Sequence, residues 1–391
     1  MFEKNRYSAV SLNYFLFFAL SGTFIPFIFI YLQSEGWSGV SIGIYSAIGP
    51  LVAFLVQPIW GYIADRRGRL PLMFAVLILL SGAIISIYKN VPVGPAFYVL
   101  AILLGIFQNP LNPMIDSMSI RALGEQKNSW GLTRLWGSLG FAVSSFIMGK
   151  VFTDSPALIF TSYGVGTIFV ALAIFVMPFE EKRAKEEPIH NQFAIKGISS
   201  VLTKQFFLFL AAISILQLGQ SMPLNFLSVV MTDRGASSAL VGLAWSITAI
   251  VELPVYFRSE GFITRFSPER VLIGIGLFKA VRFALFAISY HPIAMLIVHA
   301  TVGIGYALLT AALIILVDQI IPTEYHATGF TLYVAFTTTL PHLVGGLLGG
   351  KIYDLWGGTA LYFASALTTF LGVFAFYSWY HSVRKPKNAA V

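Results

Sequence analysis

Gly61-Tyr62-Ile63-Ala64-Asp65-Arg66-Arg67-Gly68-Arg69 interrupts two long apolar segments with four charges in five residues. Apolar runs at 39–64 and 70–88 meet there, so the block is a short connection between two hydrophobic segments. Its glycines, Gly61 and Gly68, permit a tight turn, and Asp65 can cap a helix end or pair with Arg66 and Arg69. Lys and Arg concentrated between two apolar runs are what a cytoplasmic loop of a membrane protein carries.

Outward from this loop the same alternation continues. Apolar runs lie at 8–32, 39–64, 70–88, 95–120, 128–152 and 156–178, and again at 205–232, 238–257, 270–290, 292–317, 327–350 and 357–380. A bilayer crossing needs about 20 apolar residues, and in lipid a helix satisfies its own backbone polar groups. Hydrophobic residues make up 57% of the 391 positions, charged residues 11%, and the mean hydropathy is +0.78. Soluble domains carry about 25% charged residues, so most of this surface does not face water. The reading is an all-α integral membrane protein with twelve transmembrane helices.

The net charge of +8 does not indicate nucleic acid, because the basic residues fall in short loops rather than in one patch. With no cysteine, thiolate metal sites, disulfides and thiol nucleophiles are excluded. Neither a Gly-x4-Gly-Lys-Ser/Thr loop nor a nucleophile–base constellation is visible, so an enzyme is not expected, and neither is a cofactor or a metal. The first residues carry no cleavable signal pattern.

Charge counting orients the spans. With both termini cytoplasmic, 18 of the 25 Lys/Arg fall on the inner side, including Arg66, Arg67 and Arg69, and four (Lys89, Lys150, Arg234 and Lys351) on the outer. One long polar interval, 179–204, opens with Glu180-Glu181-Lys182-Arg183 and divides the chain into 1–178 and 205–391, six spans each. The two parts repeat. Gly61-Tyr62-Ile63-Ala64-Asp65 aligns with Gly261-Phe262-Ile263-Thr264-Arg265 at an offset of 200, and Gly149-Lys150-Val151-Phe152 aligns with Gly350-Lys351-Ile352-Tyr353 at 201. A duplicated bundle of this kind underlies alternating access in secondary transporters.

The loop at 61–69 resembles the signature loop of the major facilitator superfamily, and the resemblance implies two pseudo-symmetric six-helix bundles in a monomer. Arg134-Leu135-Trp136-Gly137-Ser138-Leu139-Gly140-Phe141-Ala142 resembles the fifth span of the lactose permease group of oligosaccharide/proton symporters, and the related phenylpropionate permease group looks similar in several of the same places. Phe24-Ile25-Pro26-Phe27 and Gln57-Pro58-Ile59-Trp60-Gly61 extend it.

Charges inside the spans locate the expected chemistry. Asp116, Arg134, Glu252, Lys279, Arg282 and Asp318 are three acids and three bases within apolar runs. Each costs about 2.5–3.5 kcal/mol to bury on insertion scales, so such residues face a polar cavity and pair, and the balanced signs predict mutual pairing. Asp116 and Arg134 lie 18 residues apart on either side of a short connection, within mutual reach. Asn109, Asn112 and Asp116 share one helical stripe, as do Thr248, Glu252 and Tyr256; Lys279 and Arg282 share a face.

By resemblance, Asp116 and Arg134 stand where the symporters grip sugar hydroxyls, and Phe141 stands where they stack a tryptophan. Glu252 would join substrate binding and proton coupling, Arg282 would tune it, and His299 would hydrogen-bond the ligand. This chain departs from the group in carrying Val302 where a carboxylate is expected, and Gln217, Gln220 and Ser221 where its seventh span carries acids. The Phe-rich first span reads as lipid-facing.

The expected function is proton symport of a small polar organic solute, a sugar, across the cell membrane of a prokaryote. Three alternatives stay open: an aromatic-acid permease using Lys279, a proton-antiporting exporter, and a non-transporting receptor or scaffold. Asp116–Arg134 as a purely structural lock, and Glu252 as a mere partner of Lys279 or Arg282, also stay open.

Overall fold

The computed structural model describes residues 2–67, 69–124, 130–178, 203–321 and 325–384. The expected linker at 179–204 therefore lies almost wholly outside the described residues, as do Gly68 and the side chain of Asp65. The described residues contain helices and no strand.

The helices are α1 (Phe2–Ser34), α2 (Gly39–Arg67), α3 (Leu70–Tyr88), α4 (Pro95–Gln108), α5 (Leu111–Leu123), α6 (Trp130–Asp154) and α7 (Leu158–Ala173). After the linker come α8 (Lys204–Leu224), α9 (Leu227–Asp233), α10 (Ser238–Phe266), α11 (Pro268–Ile288), α12 (Pro292–Ala300), α13 (Val302–Ile320), α14 (His326–Val334) and α15 (Leu340–Arg384). Among the described residues eleven helical stretches are long and apolar enough to cross a bilayer. The last, Gly329–Val383, has 55 residues. At 1.5 Å per residue that is about 80 Å, against a hydrocarbon core of about 30 Å. Gly357 divides it, with φ 74° and ψ −178°, a backbone conformation that side-chain-bearing residues avoid. The twelve-span count requires this stretch to cross twice.

The fourth span is broken where Asn109 and Pro110 separate α4 from α5, because proline supplies no N–H to the helix ladder. Asn109 instead donates to the Gly49 carbonyl of α2 at 3.1 Å. The signature loop is tighter than its glycines suggested. Gly61 lies inside α2, where an added Cβ would meet nothing within 4 Å, so it serves no turn; α2 runs on through Arg67, and Arg69 precedes α3. Arg66 lies over the Tyr62 ring at 4.8 Å.

The chain forms two compact units: the first comprises 1–37, 48–187 and 228–250, the second 38–47, 188–227 and 251–391. In the first, α1 packs along α6 at small residues, as membrane helices do where no hydrophobic force drives them together. A Cβ on Gly22 would lie 2.5 Å from the Phe141 carbonyl, and Ser145 donates to the Gly22 carbonyl at 3.2 Å. In the second unit α8 meets α15 the same way: Ser221 donates to the Pro341 carbonyl at 2.6 Å and fills the space beside Gly345. Gly22–Ser145 and Ser221–Gly345 are related by the offset near 200 seen in the sequence repeat.

Each unit also holds a segment from the other part of the sequence. In the first, Ser246 of α10 donates to the Ala142 carbonyl at 2.6 Å, and Gln33 donates to Asp233 at 2.8 Å. In the second, Asp354 accepts from the backbone N–H groups of Gly39 at 2.5 Å and Val40 at 2.8 Å, placing an acid at the N-terminal end of α2.

The first span is not lipid-facing as its composition suggested. Tyr14, Phe17, Phe24 and Phe27 are buried in the first unit, Phe24 and Tyr31 edge-on to Phe160 of α7. Large apolar residues remain exposed on outer helices instead, for example Leu172 at 64% and Phe374 at 63%. That is tolerable in lipid and costly in water.

Candidate functional site

The first unit centres its polar chemistry on Asp116 of α5. Asp116 Oδ1 accepts from Arg134 Nη1 of α6 at 2.9 Å and from the Tyr14 hydroxyl of α1 at 2.7 Å. Trp130 Nε1 donates to that hydroxyl at 2.8 Å, so the tyrosine both receives and gives a hydrogen bond. Arg134 rests near two aromatic faces, Phe18 and Trp130, each at 5.6 Å. Only the stretch 124–129 separates α5 from α6, and across it two charges 18 residues apart in sequence come together.

This pair remains accessible. The side chains are 44% exposed for Arg134 and 31% for Asp116, and Asn112, one helical turn before Asp116, is exposed. Phe141, two turns along α6 from Arg134, is half-buried with its ring 6.1 Å from that of Trp245, whose N–H is held by Ser228 at 3.0 Å. The unit thus offers a carboxylate, a guanidinium and an amide beside aromatic faces. Tyr14, Phe18 and Trp130 were not singled out in the sequence; the one available signal was Asn13-Tyr14, polar atoms within an apolar run.

The second unit holds its charges differently. Lys279 and Arg282 of α11 are 3% and 8% exposed, and His299 of α12 is 9% exposed. Arg282 Nη2 reaches Gln220 Oε1 of α8 at 3.5 Å, and its guanidinium lies 4.6 Å from the Phe283 ring centre. Among the described residues no carboxylate lies within ion-pair distance of Lys279 or Arg282. The mutual pairing expected from balanced signs therefore holds for Asp116–Arg134 and fails for the two cations of α11. Arg282 meets the neutral Gln220 of α8 instead of an acid. Glu252 is half-buried on α10, and the side chain of Tyr256 lies outside the described residues. Asp318 is exposed near the end of α13, and His342 Nδ1 lies 2.7 Å from the Thr338 carbonyl. No group of metal-ligating side chains occurs among the described residues.

Helices of this length and apolarity, arranged as two compact units with ionisable groups inside their spans, define a multi-pass membrane protein. The chain belongs to the MFS_1 like family, whose model matches residues 7–364. It is 28% identical over 379 residues to the maltose permease of Geobacillus stearothermophilus, covering 94% of this chain and 93% of the relative. It is 27% identical over 374 residues to the uncharacterized transporter YwbF of Bacillus subtilis (strain 168), covering 94% and 92%. Its fold matches the crystal structure of the nucleoside transporter NupG with a TM-score of 0.84 at 16% identity, over 96% of this chain and 99% of that one. The protein is a major facilitator transporter of the cell membrane that moves a small molecule.

Proposed function

We propose that this transporter takes up a small polar organic solute, a sugar, in symport with protons. The observation that carries the reading is the Tyr14–Asp116–Arg134 network. A sugar presents adjacent hydroxyls, each both donor and acceptor. Asp116 accepts, Arg134 donates through a planar fork, and Asn112 can do either. The apolar face of a pyranose ring fits against an aromatic side chain, and Phe18, Trp130 and Phe141 lie in the same unit. An ion pair this exposed adds little stability, about 0–1 kcal/mol, so a purely structural lock is a weak account of it. The similarity to a maltose permease supports the same solute class.

Proton coupling is assigned to Glu252. It is an ionisable carboxylate inside a membrane span, and such groups mark proton and substrate pathways. Arg282 and His299, buried in the same unit, are the groups we assign to tuning its proton exchange. The parts 1–178 and 205–391 act as the two bodies of alternating access, with cytoplasmic termini, in a monomer surrounded by lipid. The strong excess of inner-side Lys and Arg supports that orientation.

The test is uptake by proteoliposomes with an inward proton gradient, using radiolabelled maltose and glucose. Saturable uptake that collapses with a protonophore is expected. Absence of sugar uptake by protein that takes up another solute would overturn the sugar assignment.

A further inference from the structure

Lys279 and Arg282 sit three residues apart on α11, inside a membrane span, with 3% and 8% exposure. Arginine does not lose its charge in proteins, and a second cation beside it makes burial worse. A buried pair of this kind is expected to be matched by an acid, yet among the described residues neither cation has one within ion-pair distance. Among the described residues Arg282 has one side-chain hydrogen bond, to Gln220 Oε1 at 3.5 Å, the far limit of such a bond, and its buried Nε has none. Gln217 Oε1, one helical turn from Gln220 on α8, is also buried without a partner. The lysine is not free to reach water at a helix end. Its stem lies against Gly305 of α13, where an added Cβ would come 3.4 Å from Lys279 Cγ.

From this arrangement we infer that the second unit contains an anion-binding site formed by Lys279 and Arg282, and that it takes the carboxylate of an acidic solute, a sugar acid if the sugar reading above holds. The guanidinium fork matches a planar carboxylate with two parallel hydrogen bonds, and the lysine adds a point charge. Aromatic surface lies close to it. Phe286 of α11 stacks on Tyr362 of α15 at 4.2 Å, and the His299 ring is edge-on to Phe286 at 6.4 Å. These rings supply an apolar wall beside the charges, so an organic acid suits the site better than a bare inorganic anion. The cost of the two buried charges is then offset when solute arrives, and it returns when solute leaves, which links occupancy of the site to the transport cycle. The inference rests on the transport reading above for the existence of a solute, and not on that solute being a sugar.

The test is isothermal titration on the purified full chain with matched probes: glucuronate against glucose, and 3-phenylpropionate against 3-phenylpropionamide, with glucose 6-phosphate as the phosphate arm. In at least one pair the acid should bind about tenfold or more tighter than its neutral partner, as expected for charge-assisted hydrogen bonds. The Lys279→Gln/Arg282→Gln double variant should lose that preference, and Arg282→Lys, which keeps charge without the fork, should retain part of it. If the double variant does not survive purification, Lys279→Gln alone decides by the same criterion. No preference for an acid in either pair, or a preference that survives the variants, overturns the site; glucose 6-phosphate binding above glucuronate overturns the carboxylate assignment. Glucose binding with no gain for the acids removes the anion site and leaves the sugar reading standing. A Lys279-dependent gain for 3-phenylpropionate with no sugar bound does the reverse.

Discussion

Tyr14 of α1 and Arg134 of α6 donate to the same oxygen of Asp116, at 2.7 and 2.9 Å. The tyrosine is fully buried and the arginine is 44% exposed, so one carboxylate oxygen joins the packed interior of the first unit to its accessible surface. The inner donor fixes the carboxylate, and the outer donor stays accessible.

The two donors should respond differently to substitution. Asp116→Asn removes an exposed ion pair and should shift the melting temperature by no more than about 2 °C, since such pairs contribute about 0–1 kcal/mol. Solute uptake should fall about a hundredfold, because the proposed grip loses its charge and one of its two acceptor oxygens becomes an amide donor. Fluorescence-detected melting beside an uptake assay reads both. A large melting shift with little change in uptake would mean that the pair is a structural lock.

Tyr14→Phe should show the opposite balance. It leaves the Trp130 N–H without its acceptor inside the unit, at a cost of about 1–3 kcal/mol, while Asp116 keeps Arg134. The melting temperature should fall further than in Asp116→Asn, with uptake reduced only several-fold. A variant as stable as the parent protein would remove Trp130–Tyr14 from the network.

Helix spacing is testable at Gly22. A Cβ there would lie 2.5 Å from the Phe141 carbonyl, which is backbone and cannot swing away. Gly22→Val should force α1 from α6 at a cost of about 1–3 kcal/mol or more, lowering the yield of monodisperse protein in size-exclusion chromatography. Gly61→Ala, at a position with open space in the helix, should be tolerated or slightly stabilising. Equal yields for Gly22→Val and Gly61→Ala would contradict the packing argument.

Much of the architecture was readable in the sequence, because a bilayer imposes length and charge rules that hydropathy reports directly. The Asp116–Arg134 pair was readable as well: two ionisable residues beside one short connection have few other partners. The orientation of α1 was not. In a soluble helix polarity separates the core face from the solvent face, but here core and lipid are equally apolar. Phe17 and Phe24, which are buried, therefore read the same as Phe169 and Phe374, which are exposed. Lys279 was unreadable for a related reason. Counting three acids against three bases says nothing about distance, and the Lys279 stem turned out to lie against Gly305 with no acid within ion-pair distance among the described residues.

If Glu252 carries the proton as proposed, coupling should separate from binding there. Glu252→Gln cannot carry a proton, so it should abolish accumulation against a gradient while leaving equilibrium exchange of solute across the membrane. Loss of exchange along with accumulation would place Glu252 in solute binding alone.

The most direct measurement is the pH of a lightly buffered suspension of energy-depleted vesicles containing the protein, followed after maltose is added. Proton symport of a sugar predicts a transient alkalinisation of the medium that saturates with maltose, vanishes with a protonophore, and is absent in Asp116→Asn and Glu252→Gln. Saturable maltose entry with no pH change, or a pH change that persists in Glu252→Gln, would contradict it.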